Sequence, residues 1–351
     1  MSDDAEHPEL APHYYGGQAC IEGVMMRGRD TWAVAVRQPD ATIWVETHPV
    51  SDFVQRHPAF SRPMLRGIHA LGDSLSIGMK ALRISAEKAM GEEDEELPSA
   101  AMGASMLLAL TLFIGLFIFL PSAGTKVVDR FLFDGAMGDG AVFHLVESVA
   151  RIAIFLAYLS LVSLLADIRR TFQYHGAEHK TIAAWEHGEV LTPENVDRYS
   201  TIHVRCGTNF LIMVMLLALV VYTVAGVIVQ PPEGAGFGVA VGYHVALRVV
   251  LLPVVAGLAY EGLRLGARRG DDPLVKALVQ PGLWLQRITT RQPDRTQIEV
   301  AIRAFEAVVP LEARGERMST GLPSTVVGPQ AHLVAGGPPA PDGTLEPTEG
   351  A

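Results

Sequence analysis

Four apolar stretches restrict what this chain can fold into more than any other feature of its sequence. Residues 100–120 (AAMGASMLLALTLFIGLFIFL) and residues 208–230 (TNFLIMVMLLALVVYTVAGVIVQ) contain no charged side chain. A helix of about 20 apolar residues crosses the roughly 30 Å hydrocarbon core of a bilayer. The two stretches are therefore predicted to form membrane spans at 99–121 and 208–230.

The other two apolar stretches are shorter or are interrupted by polar residues or proline. Residues 151–167 are apolar between charged ends, and the predicted span, 142–167, begins earlier. The last stretch contains a proline, and it is long enough only if the predicted span, 237–262, includes His244 and Arg248. A buried hairpin is the alternative for this weaker pair.

Lysine and arginine residues cluster in the connections on one side of these spans. They precede the first span, separate the second from the third and follow the fourth. These residues are Lys80, Arg83, Lys88, Arg169, Arg170, Lys180, Arg198, Arg205, Arg264, Arg268, Arg269 and Lys276. Cytoplasmic connections carry such an excess. We therefore expect a multi-pass protein of the inner (plasma) membrane, embedded in the lipid bilayer, with both termini and the 168–207 connection in the cytoplasm.

The net charge and the number of cysteines indicate which kind of partner and which cellular compartment fit the chain. The net charge is −10, and no basic patch with interleaved aromatic residues occurs, which argues against a nucleic-acid partner. Two cysteines, Cys20 and Cys206, are too few for a disulfide framework and fit a reducing compartment. Residues 1–13 lack the apolar core of a signal peptide and are predicted to be disordered.

The polar segments contain patterns of both strands and helices. Residues 31–47 alternate apolar and polar side chains around Gln38-Pro39-Asp40-Ala41, which is typical of a β-hairpin. Apolar residues at helical spacing predict amphipathic helices at 63–90 and 295–309.

The expected fold is an α-helical multi-pass membrane protein with about four transmembrane helices and a small α+β cytoplasmic head. Residues 14–90, 168–207 and 263–310 would build this head. Residues 91–98 contain EEDEE and are interpreted as a solvated acidic linker. Residues 311–351 are rich in Gly, Pro, Ser and Thr, which predicts a disordered tail.

The segment YHGAEHK (174–180) carries a pattern typical of a metal site. His175 and His179 are four positions apart, so they lie on one face of a helix with Cβ atoms about 6 Å apart. Two imidazoles in that arrangement can reach one zinc ion. Glu178 lies beside them and could be a ligand or the general base that activates a metal-bound water.

Two further ligands precede the third span. His203 and Cys206 are three positions apart, and imidazole and thiolate favour zinc over magnesium or calcium. The four residues predict a divalent metal centre, with zinc preferred, that has four ligands or three ligands and an open position. Glu261 is a second candidate carboxylate. The alternative is a set of hydrogen-bonded residues at the membrane interface, with Cys206 as a small buried hydrophobic residue.

Four segments in a fixed order resemble the DUF1385, or YqhQ-like, family of bacterial membrane proteins. They are GGQACIEGVMMRG (16–28), YHGAEHKTI (174–182), HVRCGTNF (203–210) and PGLWLQRITT (281–290). The resemblance implies a membrane location and a metal-dependent enzyme, without a defined reaction or substrate. His175, Glu178, His179, His203 and Cys206 all match the family's polar pattern.

Three classes of function are compatible with these observations. The first is a membrane-associated hydrolase in which Glu178 takes a proton from a metal-activated water at a cytoplasmic site. The second is a non-catalytic scaffold that binds a protein partner at the cytoplasmic face, with a closed structural metal site. The third is a transporter, which needs polar groups near the membrane midplane; the first and third spans offer no charged group there.

Overall fold

The structure is a computed structural model that describes residues 15–90, 99–138, 140–232, 234–268, 272–310 and 325–327. The predicted disordered segment 1–13 and the acidic linker 91–98 lie outside these residues. So does the predicted tail, except for three residues.

The first elements of the described residues form an antiparallel sheet of four sequential strands. These are β1 (Gly16–Cys20), β2 (Gly23–Arg27), β3 (Thr31–Arg37) and β4 (Ile43–Pro49). The predicted hairpin is confirmed as the β3–β4 pair, in which Arg37 lies opposite Ile43. Its turn places Ala41 at a φ of 66°. A short strand, β5 (Thr325–Val327), lies within the segment that was predicted to be disordered and pairs in parallel with β4.

Within the described residues, thirteen helices or helical turns follow β4 in chain order. They are α1 (Phe53–Arg56), a 3₁₀ turn (Pro58–Ser61), α2 (Leu65–Met90), α3 (Ser99–Ile114), a π-helical turn (Gly115–Phe119), α4 (Leu120–Leu132), α5 (Ala141–Val162), α6 (Ala166–Glu186), α7 (Pro193–Asp197), α8 (Gly207–Ile228), α9 (Phe237–Arg268), α10 (Pro273–Thr289) and α11 (Arg295–Val308).

Helices cover both faces of the sheet. Ile77 and Ala81 of α2 pack against one face, where β3 presents Trp32 and Val34. Helices α6 and α11 pack against the opposite face, where Phe305 of α11 is fully buried. Because both faces are covered, consecutive residues of β3 are buried, and its core positions no longer alternate with exposed ones.

Four helices in the described residues are long and apolar enough to cross a membrane: Gly103–Leu132, Ala141–Val162, Gly207–Ile228 and Phe237–Leu265. The first continues past the predicted end at 121. Pro121 lacks the backbone N–H that other residues donate within a helix. It lies in the first turn of α4, directly after the π-helical turn, and the helical run continues through it. The second span ends at Val162, and Asp167 lies in the first turn of α6.

A buried group of charges connects these spans. The carboxylate of Glu147 on α5 accepts hydrogen bonds from Ser122 Oγ at 2.6 Å and from Arg151 Nη2 at 2.7 Å. It also pairs with Arg248 of α9. The rings of His144 and His244 lie beside it, with centroids 5.2 Å apart. The two charged or titratable residues that weakened the fourth span as a prediction are therefore buried within the bundle.

Candidate metal centre

Helix α6 carries both histidines of the predicted centre on one face. The ring centroids of His175 and His179 are 4.4 Å apart, as expected for residues one turn apart. The helix can approach the segment that precedes α11 closely because residue 176 is glycine. A Cβ atom at Gly176 would overlap the carbonyl oxygen of Arg291.

Backbone carbonyl groups orient the two rings. The Nδ1 atom of His175 donates to the carbonyl oxygen of Thr289 at 2.8 Å, and Nδ1 of His179 donates to that of Thr201 at 2.6 Å. A carbonyl oxygen only accepts hydrogen bonds, so each Nδ1 carries the proton. Each Nε2 therefore keeps a lone pair, which is the arrangement that metal-binding histidines usually adopt.

Cys206 completes a three-residue cluster. Its Sγ lies 3.2 Å from Nε2 of His175. One ligand atom each from His175, His179 and Cys206 all lie within 4.8 Å of one another. Two ligands on one zinc ion are roughly 3.5 Å apart, so a small adjustment of side chains would bring the three to that spacing.

The environment of Cys206 supports a thiolate ligand. Cys206 is the N-cap residue of α8, and its sulfur accepts hydrogen bonds from the backbone N–H and the hydroxyl of Thr208 at 3.4 and 3.3 Å. Burial raises the pKa of the thiol, and these two donors oppose that effect. A metal ion would replace the thiol proton, so metal binding at this site releases a proton.

Glu178 lies beside the cluster and is not one of its three members. It is buried, and the backbone N–H of Gly17 donates to its carboxylate. Burial raises the pKa of Glu178 to about 8, while the electrostatic interaction with His175 opposes that shift. A Cβ atom at Gly17 would lie 2.8 Å from Cδ of Glu178, so this close contact requires glycine. The Oε2 atom has no hydrogen-bond partner among the described residues.

His179 is only 1% exposed, and its Nε2 atom also lacks a hydrogen-bond partner within the described part of the chain. Burial, and then the neighbouring His175, lower the pKa of His179 well below its usual value, which keeps the ring neutral. A buried polar atom without a partner is unfavourable. A metal ion would satisfy this nitrogen, and the set of two imidazoles and one thiolate suits zinc.

His203 and Glu261 are not part of this cluster. His203 lies near His179, with ring centroids 5.7 Å apart, but its Nε2 lies 3.3 Å from the carboxylate of Glu186. The carboxylate of Glu261 accepts two hydrogen bonds from Arg66 and one from the backbone N–H of Met64, and Glu261 is not a member of the cluster.

Cys20 is not a member of the cluster found among the described residues. It is fully buried in β1, and burial raises its pKa to about 12, which keeps it a neutral thiol.

Helix α10 supports the loop that leads to Cys206, a role that the sequence did not predict. The side-chain amide of Gln286 accepts from the backbone N–H of His203 and donates to its carbonyl oxygen, at 2.8 and 2.9 Å. Gly282 permits α10 to pack on Asn209 at the start of α8, because a Cβ atom there would overlap the Asn209 amide. The segment PGLWLQRITT therefore supplies both a support for the loop and, at Thr289, the acceptor for His175.

The chain matches the sequence profile of the family described as "Protein of unknown function (DUF1385)" over residues 62–311. It is also 35% identical over 318 residues to "Uncharacterized protein YqhQ" of Bacillus subtilis (strain 168), and the match covers 87% of this chain and 95% of the relative. No solved structure matches. The profile match includes all four spans and every residue of the candidate centre, and the protein belongs to the DUF1385 family.

Proposed function

We propose that this protein is a membrane-associated, metal-dependent hydrolase, with zinc as the preferred ion. The observation that carries the proposal is the cluster of His175, His179 and Cys206 beside a buried carboxylate, Glu178, which remains outside the ligand set. Three protein ligands and one open position are the usual composition of a catalytic zinc site, whereas structural sites have four protein ligands.

A divalent ion held by these three residues would polarise the substrate and lower the pKa of water. The chain's own contribution is proton transfer by Glu178. Its carboxylate would accept a proton from the attacking water while the water oxygen bonds to an acyl or phosphoryl centre. The resulting carboxylic acid would then return the proton to the leaving group as that bond breaks, so that one water is consumed per bond cleaved.

Zinc-edge X-ray absorption of the zinc-loaded, purified protein tests the proposal. We expect the multiple-scattering signal of two imidazoles, one sulfur ligand and one further light-atom ligand, because His203 is paired with Glu186. As a control, His203→Ala should leave the spectrum unchanged. A spectrum with three imidazoles and one sulfur, reduced to two imidazoles in His203→Ala, would mean a closed structural site and would support the scaffold.

The positive-inside pattern supports a cytoplasmic position for this centre in the inner membrane. We expect a cysteine introduced at His187, which is exposed after α6, to react with an impermeant maleimide only in permeabilised cells. A cysteine at Gly236, exposed between α8 and α9, should react in intact cells. The unsubstituted chain measures the background from its own cysteines. The reverse labelling pattern would show the opposite orientation.

A further inference from the structure

A cavity of about 1200 Å³ lies between the sheet and the membrane helices. Gly17 and Cys206 form part of its wall, so the cavity reaches both the contact that holds Glu178 and one member of the metal cluster. Ligand pockets typically have volumes of about 300–1000 Å³. This cavity is therefore large enough for a molecule with a long chain.

The wall away from the cluster is apolar and comes mainly from α8, α9 and α10. Its large apolar residues include Met213, Leu217, Leu258, Leu263, Leu278 and Leu283. The first four belong to helices that are long and apolar enough to span the membrane. The cavity therefore extends from the candidate centre into the membrane-spanning region.

Four charged residues line the cavity, and each has an interaction partner: Arg27, Arg205, Asp272 and Lys276. Arg27 pairs with Asp73 at 2.6 Å, and Arg205 pairs with Glu186. The two ion pairs neutralise the charges of Arg27 and Arg205. The cavity wall therefore does not favour a strongly anionic ligand. A compact, uncharged polar group next to a long apolar chain fits this combination of walls.

We infer that the cavity binds the apolar chain of an uncharged membrane amphiphile and places its polar group, with the bond to be cleaved, beside Cys206 and Glu178. This inference rests on the proposed function for the cleavage step, whereas the binding step stands on the cavity alone. The chain's own N-terminal residues are a poorer occupant. Tyr15 lies in the wall, but the preceding residues, MSDDAEHPELAPHY, contain four acidic side chains.

The test uses the full chain reconstituted in phosphatidylcholine vesicles that contain a diazirine-labelled monoacylglycerol. After irradiation, we expect adducts on the cavity-facing residues of α8 and α10. Gly262 lies in the cavity wall on α9, so Gly262→Trp should reduce these adducts at least tenfold. Gly242, on the same helix, is exposed and has open space around it. Gly242→Trp is therefore the matched control and should label like the wild type.

Leu278→Trp fills the cavity from α10 and provides the same test if Gly262→Trp does not fold. Equal cavity labelling in the filled and control variants would overturn the inference, as would cross-links from the cavity wall to residues 1–14 in place of the probe. Cavity labelling of an unsubstituted protein that binds no zinc would support the binding inference while refuting the proposed hydrolase. Zinc binding without cavity labelling would refute only the inference.

Discussion

Protein that carries Glu178→Gln is expected to bind zinc as the wild type does and to lose about 10²–10⁴-fold in hydrolytic rate, because a positioned general base contributes that much. The substitution keeps the shape of the side chain and removes its basicity. Glutamine is uncharged, so at this buried position it avoids the cost of burying a charge that raises the pKa of Glu178. The amide oxygen can still accept from the N–H of Gly17, so the variant should fold.

The measurement is complementation of a deletion strain, together with zinc content and thermal unfolding of the purified variant. Glu194→Gln is the matched control, because Glu194 is an exposed carboxylate of α7 whose partner is Arg295. It should complement fully. Full complementation by a folded, zinc-replete Glu178→Gln protein would exclude the general-base mechanism and favour the scaffold.

Replacement of His179 by alanine should remove at least nine-tenths of the bound zinc. Loss of a group that merely orients a ligand typically costs about 10–100-fold in metal affinity, and loss of one of three ligands should cost more. Zinc content of the detergent-purified protein, measured by mass spectrometry, should fall from about one ion per chain to less than a tenth of an ion.

His187→Ala is the control for this loss. His187 directly follows the same helix and is exposed, and its Nδ1 atom bonds to the carbonyl group of Ala183, one turn earlier. The variant should retain the metal. Cys206→Ser adds a near-isosteric test of the third ligand. If zinc content is unchanged in His175→Ala, His179→Ala and Cys206→Ser alike, the metal is bound elsewhere or the cluster has a purely structural role.

Local patterns predicted the elements of this fold well. The alternation in 31–47 identified the β3–β4 hairpin, and it corresponds to alternating burial in β4, whereas β3 is covered on both faces. Apolar length identified four helices that can span a membrane. The spacing of His175 and His179 placed both on one helical face because α6 runs without interruption through them.

Partners that are distant in sequence could not be predicted from such patterns. The spacing of His203 and Cys206 suggested two ligands, but Glu186 is close enough to His203 to pair with it instead. Glu261 was a candidate only because it is a carboxylate near a span, whereas the fold places Arg66 against it. The carbonyl groups of Thr201 and Thr289 have no signature at all, because any residue type supplies a carbonyl.

The buried pairing of Glu147 with Arg248 has a consequence for how the protein is made. An arginine at the centre of a single inserted helix costs about 2.5–3.5 kcal/mol. Glu147 enters the bilayer 101 residues ahead of Arg248 and already has Arg151 one turn away on the same helix. If the spans insert in the order of synthesis, the arginine of α9 meets a carboxylate that is already in place. We expect α9 to leave the translocation machinery against α5, so that the order of synthesis sets the order in which the bundle assembles.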